Sequence, residues 1–215
     1  RILAHGWWLA GKAKMSKSLG NVIDPLGLRR EFGTDALRWY LMREMPTGAD
    51  ASYTDERFLA RYGELANVLG NLASRAVSMV HRYRSGVVPE NPGQGLDHEI
   101  GRAFEAYGEA MEGLKIHDAM EAAMGLARSA NAYVESSEPW ALAKDEGRAG
   151  ELDAVLATLV RALIALASLF APVMPKKMAE LSTALGLTAT PDFVDALGRS
   201  PAGLHLERLE PLFPR

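Results

Sequence analysis

Apolar side chains recur every three or four positions along most of this chain, which is the spacing that places them on one face of an α-helix. The longest continuous pattern covers residues 54–83 and predicts a single long helix. Its apolar positions are Phe58, Tyr62, Leu65, Leu69, Leu72, Ala76, Met79 and Tyr83. Residues 87–95 follow with two prolines and two glycines, and they predict a loop.

The same spacing predicts four further helices. They cover residues 96–114, 117–136, 151–170 and 175–185. Ser137-Glu138-Pro139 interrupts the pattern and starts a short helical turn that includes Trp140. The tail to residue 215 contains several prolines and has no strong periodicity. Residues 54–215 are therefore predicted to form one α-helical bundle.

Residues 1–53 predict a smaller, mixed α/β segment in front of the bundle. The apolar and aromatic residues 2–9 predict a short strand. Asp24 followed by Pro25 predicts the capped start of one short helix, and Thr34 is predicted to cap a second. The predicted fold class is mainly α, with a division between the two parts at residues 53 and 54.

The composition is that of an ordinary globular protein. Hydrophobic residues make up 48% of the chain and charged residues 24%, which excludes an intrinsically disordered chain. Cysteine is absent, so disulfides and thiolate metal sites are excluded, and we expect no metal site within the chain.

The net charge of −3 is unevenly distributed. The first 90 residues carry 13 Lys and Arg against 9 Asp and Glu, whereas the remainder carries 11 against 18. The basic leading part permits local contacts to phosphate groups, although the acidic whole argues against general coating by nucleic acid.

One apolar stretch, residues 154–175, is long enough to span a bilayer, but Arg161 interrupts it. An arginine at the centre of a bilayer costs about 2.5–3.5 kcal/mol even on a lenient insertion scale. We therefore expect a buried helix of a soluble bundle. The first residues also lack the features of a signal peptide, so we expect a cytoplasmic protein with no membrane partner.

The densest chemical signal is a loop with alternating lysines and serines. Lys14 and Lys17 are three residues apart, and Ser16 and Ser18 lie beside them. Ammonium groups on a mobile loop can follow the oxygens of a polyphosphate and neutralise their charge. The spacing is not that of a Walker loop. The alternative is a solvated turn whose lysines serve only solubility.

Residues 14–18 spell KMSKS, and the chain therefore resembles the class I aminoacyl-tRNA synthetases. Several further motifs, in the same order, resemble the methionyl-tRNA synthetase family in particular. These motifs are residues 19–25, 33–41, 43–50, 69–75, 138–144, 169–175 and 212–215. The resemblance covers essentially the whole chain.

The resemblance implies roles for the loop residues in binding ATP. It implies that Lys17 contacts the phosphates and stabilises the transition state of amino-acid activation, with a lesser catalytic role for Lys14. Ser16 and Ser18 are implied to hold the loop and cap the helix behind it. The remaining implied ATP-binding residues are Met15 and His5, and for His5 an ordinary strand position without contact to the nucleotide is an equal alternative. Trp7 and Trp8, beside His5, are expected to be packing residues.

A second site is implied on the bundle. Asn71 and Arg75 are four residues apart and share one helix face, and by itself this spacing is more typical of a solvated helix face than of a binding site. The resemblance implies that both residues read anticodon bases of tRNA(Met), and that Trp140, after Pro139, stacks on a base. Amide and guanidinium groups suit exposed base edges.

The same resemblance implies a reaction for the parent protein, in which Mg-bound ATP and L-methionine react with tRNA. The methionine pocket and the HIGH-type motif would belong to an N-terminal catalytic domain upstream of these residues, so we expect the chain alone to be inactive. Three alternatives remain: a tRNA-binding module without catalysis, a related class I synthetase such as the cysteinyl enzyme, or a plain helical scaffold.

Overall fold

The computed structural model describes residues 4–11, 13–16, 18 and 20–214. It is mainly α-helical with one small sheet, so the predicted fold class is confirmed. The strands are β1 (Trp8–Ala10), β2 (Ala13–Lys14) and β3 (Ala51–Tyr53). The helices are α1 (Pro25–Phe32), α2 (Thr34–Glu44), α3 (Asp55–Glu64), α4 (Asn71–Arg84), α5 (Asp97–Glu112), α6 (Ile116–Ser137), α7 (Pro139–Leu142), α8 (Ala149–Phe170), α9 (Pro175–Ala184) and α10 (Phe193–Gly198).

The sheet has the strand order β2-β1-β3, with β1 antiparallel to β2 and parallel to β3. The parallel pair requires a crossover connection, which α1 and α2 provide. The strand predicted at residues 2–9 is observed as Trp8–Ala10, and residues 1–3 lie outside the described residues. Trp8 packs against Tyr40, with ring centroids 5.6 Å apart. The expectation that Trp7 is a packing residue is wrong, because its side chain is 61% exposed.

The two short helices begin differently from one another. The carboxylate of Asp24 accepts hydrogen bonds from the N–H groups of Leu26 and Gly27, so the predicted cap of α1 is confirmed. The predicted cap of α2 is wrong: Thr34 is the first helical residue, and Gly33 holds the capping position. Gly33 has a φ of 88°, a conformation that glycine adopts without a steric penalty.

The long helix predicted over residues 54–83 is observed as α3, a π-helical segment (Leu65–Gly70) and α4 in succession. Thr54 caps its start, since its hydroxyl accepts a hydrogen bond from the N–H of Arg57 at 3.2 Å. The backbone stays right-handed helical at both ends of the π segment. The apolar spacing therefore predicts the helix, but does not reveal the change in hydrogen-bond register.

Helix α8 is the centre of the bundle, with 16 of its 22 residues buried. Among the described residues, the segment Glu146–Phe170 is the one helical stretch apolar and long enough to cross a membrane, and 83% of its apolar window is buried inside the fold. Arg161 reaches the edge of the bundle and forms an ion pair with Asp97 at 3.0 Å. The long helices α4, α5 and α6 pack around α8, together with α7, α9 and α10.

The bounds of α5, α6, α8 and α9 lie within about two residues of the predicted bounds. Helix α10 was not predicted. Its cap is Asp192, whose carboxylate accepts a hydrogen bond from the N–H of Asp195 at 2.8 Å. Phe193 holds this helix on the bundle by edge contacts with Phe104 and Tyr107. Burial raises the pKa of Tyr107 to about 12.

Helix α2 connects the small sheet to the bundle. Trp39 is fully buried in the core of the bundle and contacts Phe170 edge-on, with ring centroids 5.6 Å apart. Asp35 accepts a hydrogen bond from the N–H of Lys177 in the first turn of α9, at 2.7 Å. Arg38 donates to the carbonyl of Val173 at 2.6 Å. The sheet side of the molecule is thus anchored to α8 and α9.

Candidate functional sites

The loop that follows β2 is closed by a single asparagine. Asn21 Oδ1 accepts a hydrogen bond from the N–H of Ser16 at 2.7 Å, and Asn21 Nδ2 donates to the carbonyl of Lys14 at 3.3 Å. The hydroxyls of Ser16 and Ser18 lie 2.7 Å apart. Asparagine commonly bonds backbone groups where a chain turns. That preference is the signal by which the closing role of Asn21 could have been predicted.

The serines do not cap the helix behind the loop, so that expectation is wrong. The hydroxyls of Ser16 and Ser18 bond each other, and Asp24 occupies the capping position directly before Pro25. A carboxylate adjacent to the first helical residue reaches the free N–H groups, whereas the serines lie several residues away.

The predicted ATP-binding residues are distributed around this loop. Lys14 is exposed, and its ammonium lies 3.9 Å from the centroid of the Trp7 ring, a cation–π contact. Lys17 lies outside the described residues. Met15 is half-buried and packs on the small aromatic core around Tyr40. His5 is exposed and lines a cleft of about 210 Å³ beside the C-terminal end of α2.

The predicted anticodon residues lie on and next to α4. Asn71 is exposed at the first position of this helix, directly after the π segment. Arg75 follows one turn later, and its guanidinium donates to the carboxylate of Glu135 on α6 at 2.8 Å. This ion pair between exposed groups holds the side chain of Arg75 towards the C-terminal end of α6.

Trp140 lies five residues beyond Glu135, on α7. Helix α6 ends at Ser137, and its C-terminal capping residue, Glu138, adopts a left-handed conformation with φ of 42°. Pro139 is buried and starts α7, so it fixes the direction in which α7 leaves the bundle. Trp140 is 38% exposed. The Arg75–Glu135 pair therefore places the Asn71–Arg75 face beside the C-terminal end of α6, and Trp140 follows directly after that end.

A residue that the sequence pattern did not indicate, Asn131, holds the turn that precedes Asn71 by hydrogen bonds. The side-chain amide of Asn131 on α6 donates to the carbonyl of Val68 at 3.0 Å and to that of Ala127 at 2.9 Å. Val68 belongs to the π segment, where the N–H of Asn71 is shared between the carbonyl of Ala66, five residues back, and that of Val68. A carbonyl oxygen has two lone pairs, so Val68 can accept from a second donor as well. Asn131 supplies one in the turn that precedes Asn71.

The C-terminal segment forms the other side of this surface. Residues 211–214 run beside the start of α4 and enclose a pocket of about 300 Å³ with Asn71 and Ser74. The hydroxyl of Tyr62 donates to the carbonyl of Pro214 at 2.7 Å and holds the segment in place. No group of three or more His, Cys, Asp or Glu residues that could hold a metal ion occurs in the described part of the chain.

The KMSKS loop followed by an α-helical bundle is the arrangement expected from the resemblance to the class I aminoacyl-tRNA synthetases, and the comparisons with known proteins agree with that class. Residues 1–77 match the family described as tRNA synthetases class I (M), and residues 85–215 match the anticodon-binding domain of methionyl-tRNA ligase. The chain belongs to the methionyl-tRNA ligase family.

Individual relatives agree with this assignment. The chain is 43% identical over 190 residues to a methionine–tRNA ligase of Oceanobacillus iheyensis, covering 84% of this chain and 28% of the relative. It is 37% identical over 224 residues to that of Streptococcus pyogenes serotype M3, covering 100% and 34%. The chain thus spans about a third of the length of these curated relatives.

A solved structure shows the same fold. Mycobacterium tuberculosis methionyl-tRNA synthetase, bound by methionyl-adenylate, superimposes with a TM-score of 0.91 at 33% identity. The match covers 100% of this chain and 44% of that one. The predicted family is confirmed in preference to the cysteinyl alternative.

We expect Asn131→Ala to destabilise the fold, because the Val68 carbonyl loses its side-chain donor. The Val68 carbonyl keeps its bond from the N–H of Asn71, so the loss of one hydrogen bond should cost about 0.5–1.5 kcal/mol, which a denaturant titration of the chain will measure. Ser136→Ala is the matched control on the same helix, since its hydroxyl bonds only the nearby carbonyl of Tyr133. Equal unfolding free energies for Asn131→Ala and the wild-type chain would show that the hydrogen bond from Asn131 to Val68 does not stabilise the fold.

Proposed function

We propose that this chain is the loop-bearing and anticodon-binding part of a methionine–tRNA ligase. The parent enzyme activates L-methionine with Mg-bound ATP and transfers it to tRNA(Met) in the cytoplasm. The observation that carries the proposal is the pairing of Arg75, one turn after Asn71, with Glu135 near the end of α6, which Trp140 follows five residues later. The family assignment supports it.

On the loop side, Lys17 and Lys14 supply positive charge to the phosphates of ATP. Adenylation builds negative charge on the leaving pyrophosphate, so an ammonium that contacts this charge in the transition state lowers the barrier. Ser16, Ser18 and Met15 shape the loop around these lysines. The hydrogen bonds of Asn21 to Ser16 and Lys14 support this role, because they fix the base of the loop.

On the bundle side, Asn71 and Arg75 read anticodon bases by hydrogen bonds to their edges. The side-chain amide of Asn71 has no partner among the residues that the structure describes, so its donor and acceptor remain available to a base. Arg75 shares its guanidinium with the exposed carboxylate of Glu135, and its other N–H groups can donate elsewhere. Trp140, positioned by Pro139, provides a stacking surface.

The role of Lys17 predicts a large loss of activity in the full-length ligase that contains this chain. Lys17→Ala should lower the kcat of methionine-dependent pyrophosphate exchange about 100-fold or more, roughly 3 kcal/mol, with a smaller effect on KM for ATP. Lys176→Ala, an exposed lysine on α9, is the charge-matched control. An exchange rate near that of wild type would contradict the role of Lys17 in ATP binding and favour a solvated turn.

The stacking role of Trp140 predicts that binding and stability respond differently. Trp140→Ala should weaken binding of tRNA with the CAU anticodon by about 1–3 kcal/mol and leave thermal unfolding nearly unchanged. Trp39→Ala is the contrasting control, because a fully buried tryptophan should cost about 3–5 kcal/mol of stability.

Arg75→Ala should likewise leave the thermal unfolding temperature nearly unchanged. It should reduce the ratio of activity with the CAU anticodon to activity with a changed first anticodon base. Aminoacylation kinetics with anticodon-swapped tRNAs and a melting curve of each variant provide the measurements. The role in base recognition is wrong if Trp140→Ala unfolds many degrees early while its folded fraction still discriminates the anticodon.

A further inference from the structure

A second groove continues along α4 from the Asn71 pocket. Its cavity of about 450 Å³ lies between α4 and the stretch 208–210 of the C-terminal segment. Its polar lining comprises Ser78, His81, Arg82, Arg208 and Glu210. Together the two cavities follow one helix, with the C-terminal segment as their common opposite wall.

Two arginines line this second groove, one from each wall. Arg82 is exposed, and its guanidinium lies 5.6 Å from the centroid of the neighbouring Tyr83 ring. Arg208 is also exposed. Neither guanidinium has a carboxylate within ion-pair distance in the part of the chain that the structure describes.

Most arginines of the surrounding bundle are in a different situation. Arg75, Arg84 and Arg128 each form an ion pair with a carboxylate on another helix. Arg82 and Arg208 are thus among the few arginines of the bundle without an ion pair in the described residues, and both line this groove. Two guanidinium groups that line one groove from opposite walls, neither of them in an ion pair, suit a phosphate, which accepts several N–H bonds at once.

We propose that Arg82 and Arg208 bind a backbone phosphate of the tRNA strand next to the bases that the Asn71 end of α4 reads. This inference rests on the proposed function, since the Asn71 pocket and the second groove form one path. Arg82 lies eleven residues beyond Asn71, about 16 Å along the helix axis, a distance that a few nucleotides of single-stranded RNA span. Glu210 lines the same groove, and its negative charge repels a phosphate bound there.

A phosphate contact and a base contact leave different signatures in binding measurements. Phosphate contacts carry no sequence information, so their loss weakens cognate and non-cognate RNA alike. Each phosphate neutralised on a single strand also adds about 0.7 to the slope of log affinity against log salt concentration.

The experiment measures the Kd of the full-length ligase for tRNA with the CAU anticodon, and with a changed first base, over a series of salt concentrations. Arg82→Ala and Arg208→Ala should each weaken both complexes about tenfold, leave their ratio unchanged, and together reduce the salt slope by about 0.7. Glu210→Gln should strengthen binding. Arg102→Ala, an exposed arginine on α5 with no ion pair among the described residues, is the control and should change nothing.

Further variants guard against loss of folding. Arg82→Gln keeps a long polar side chain and should reproduce the loss of affinity, whereas Arg82→Lys keeps the charge and should restore most of the binding. Methionine-dependent pyrophosphate exchange without tRNA should be unchanged in all of them.

Unchanged affinity and salt slope in the double arginine variant would overturn the phosphate site, and the proposed function would still stand if Asn71→Ala loses the preference for CAU. A changed ratio between the two tRNAs in Arg82→Ala would also overturn it, because that residue would then be reading a base. If Asn71→Ala also binds both tRNAs as wild type does, the proposed function falls together with the phosphate site.

Discussion

The structure depends on the burial of α8. A helix with 16 of its 22 residues buried has to be covered on nearly every side, and the other helices of the bundle are placed by that requirement. Helix α4 contributes Leu72, Ala73, Ala76, Val77 and Val80 to this shared core. Its opposite face is consequently turned outwards, and that face carries Asn71, Arg75 and Arg82. The position of the candidate RNA-binding surface is therefore a result of hydrophobic packing.

The same reasoning explains how the sheet is joined to the bundle. An ionic cluster lies between α2, α3 and α6, and it comprises Arg43, Glu44, Arg57, Arg61, Glu64, Glu121 and Arg128. Partly exposed ion pairs of this kind contribute about 0–1 kcal/mol each. The fully buried Trp39, whose loss would cost about 3–5 kcal/mol, contributes more than any one of these pairs. The ion pairs orient α2 relative to α3 and α6, whereas the burial of Trp39 holds α2 on the bundle.

Much of this organisation could be predicted from the sequence, because apolar residues spaced three or four positions apart indicate a helix with one apolar face. The bounds of α5, α6, α8 and α9, and the shared face of Asn71 and Arg75, follow from that pattern. The π segment could not be predicted, since it changes hydrogen bonds without changing the apolar positions. The bond from Asn131 to Val68, the pair of Arg75 with Glu135, and the wall formed by residues 211–214 join elements far apart in the chain. Local patterns contain no information about such contacts, and the exposure of Trp7 was missed for the same reason.

The central claim is that the surface formed by α4 and α7 reads an anticodon, and binding of a short RNA to this chain alone tests it most directly. The measurement is the Kd of the isolated chain for an anticodon stem–loop with CAU and for one with its first anticodon base changed. Cooperative unfolding of the same sample verifies that the chain is folded. We predict that the changed loop binds about 1–3 kcal/mol more weakly, as expected for loss of a well-made base contact. Equal affinity for the two loops would contradict the account.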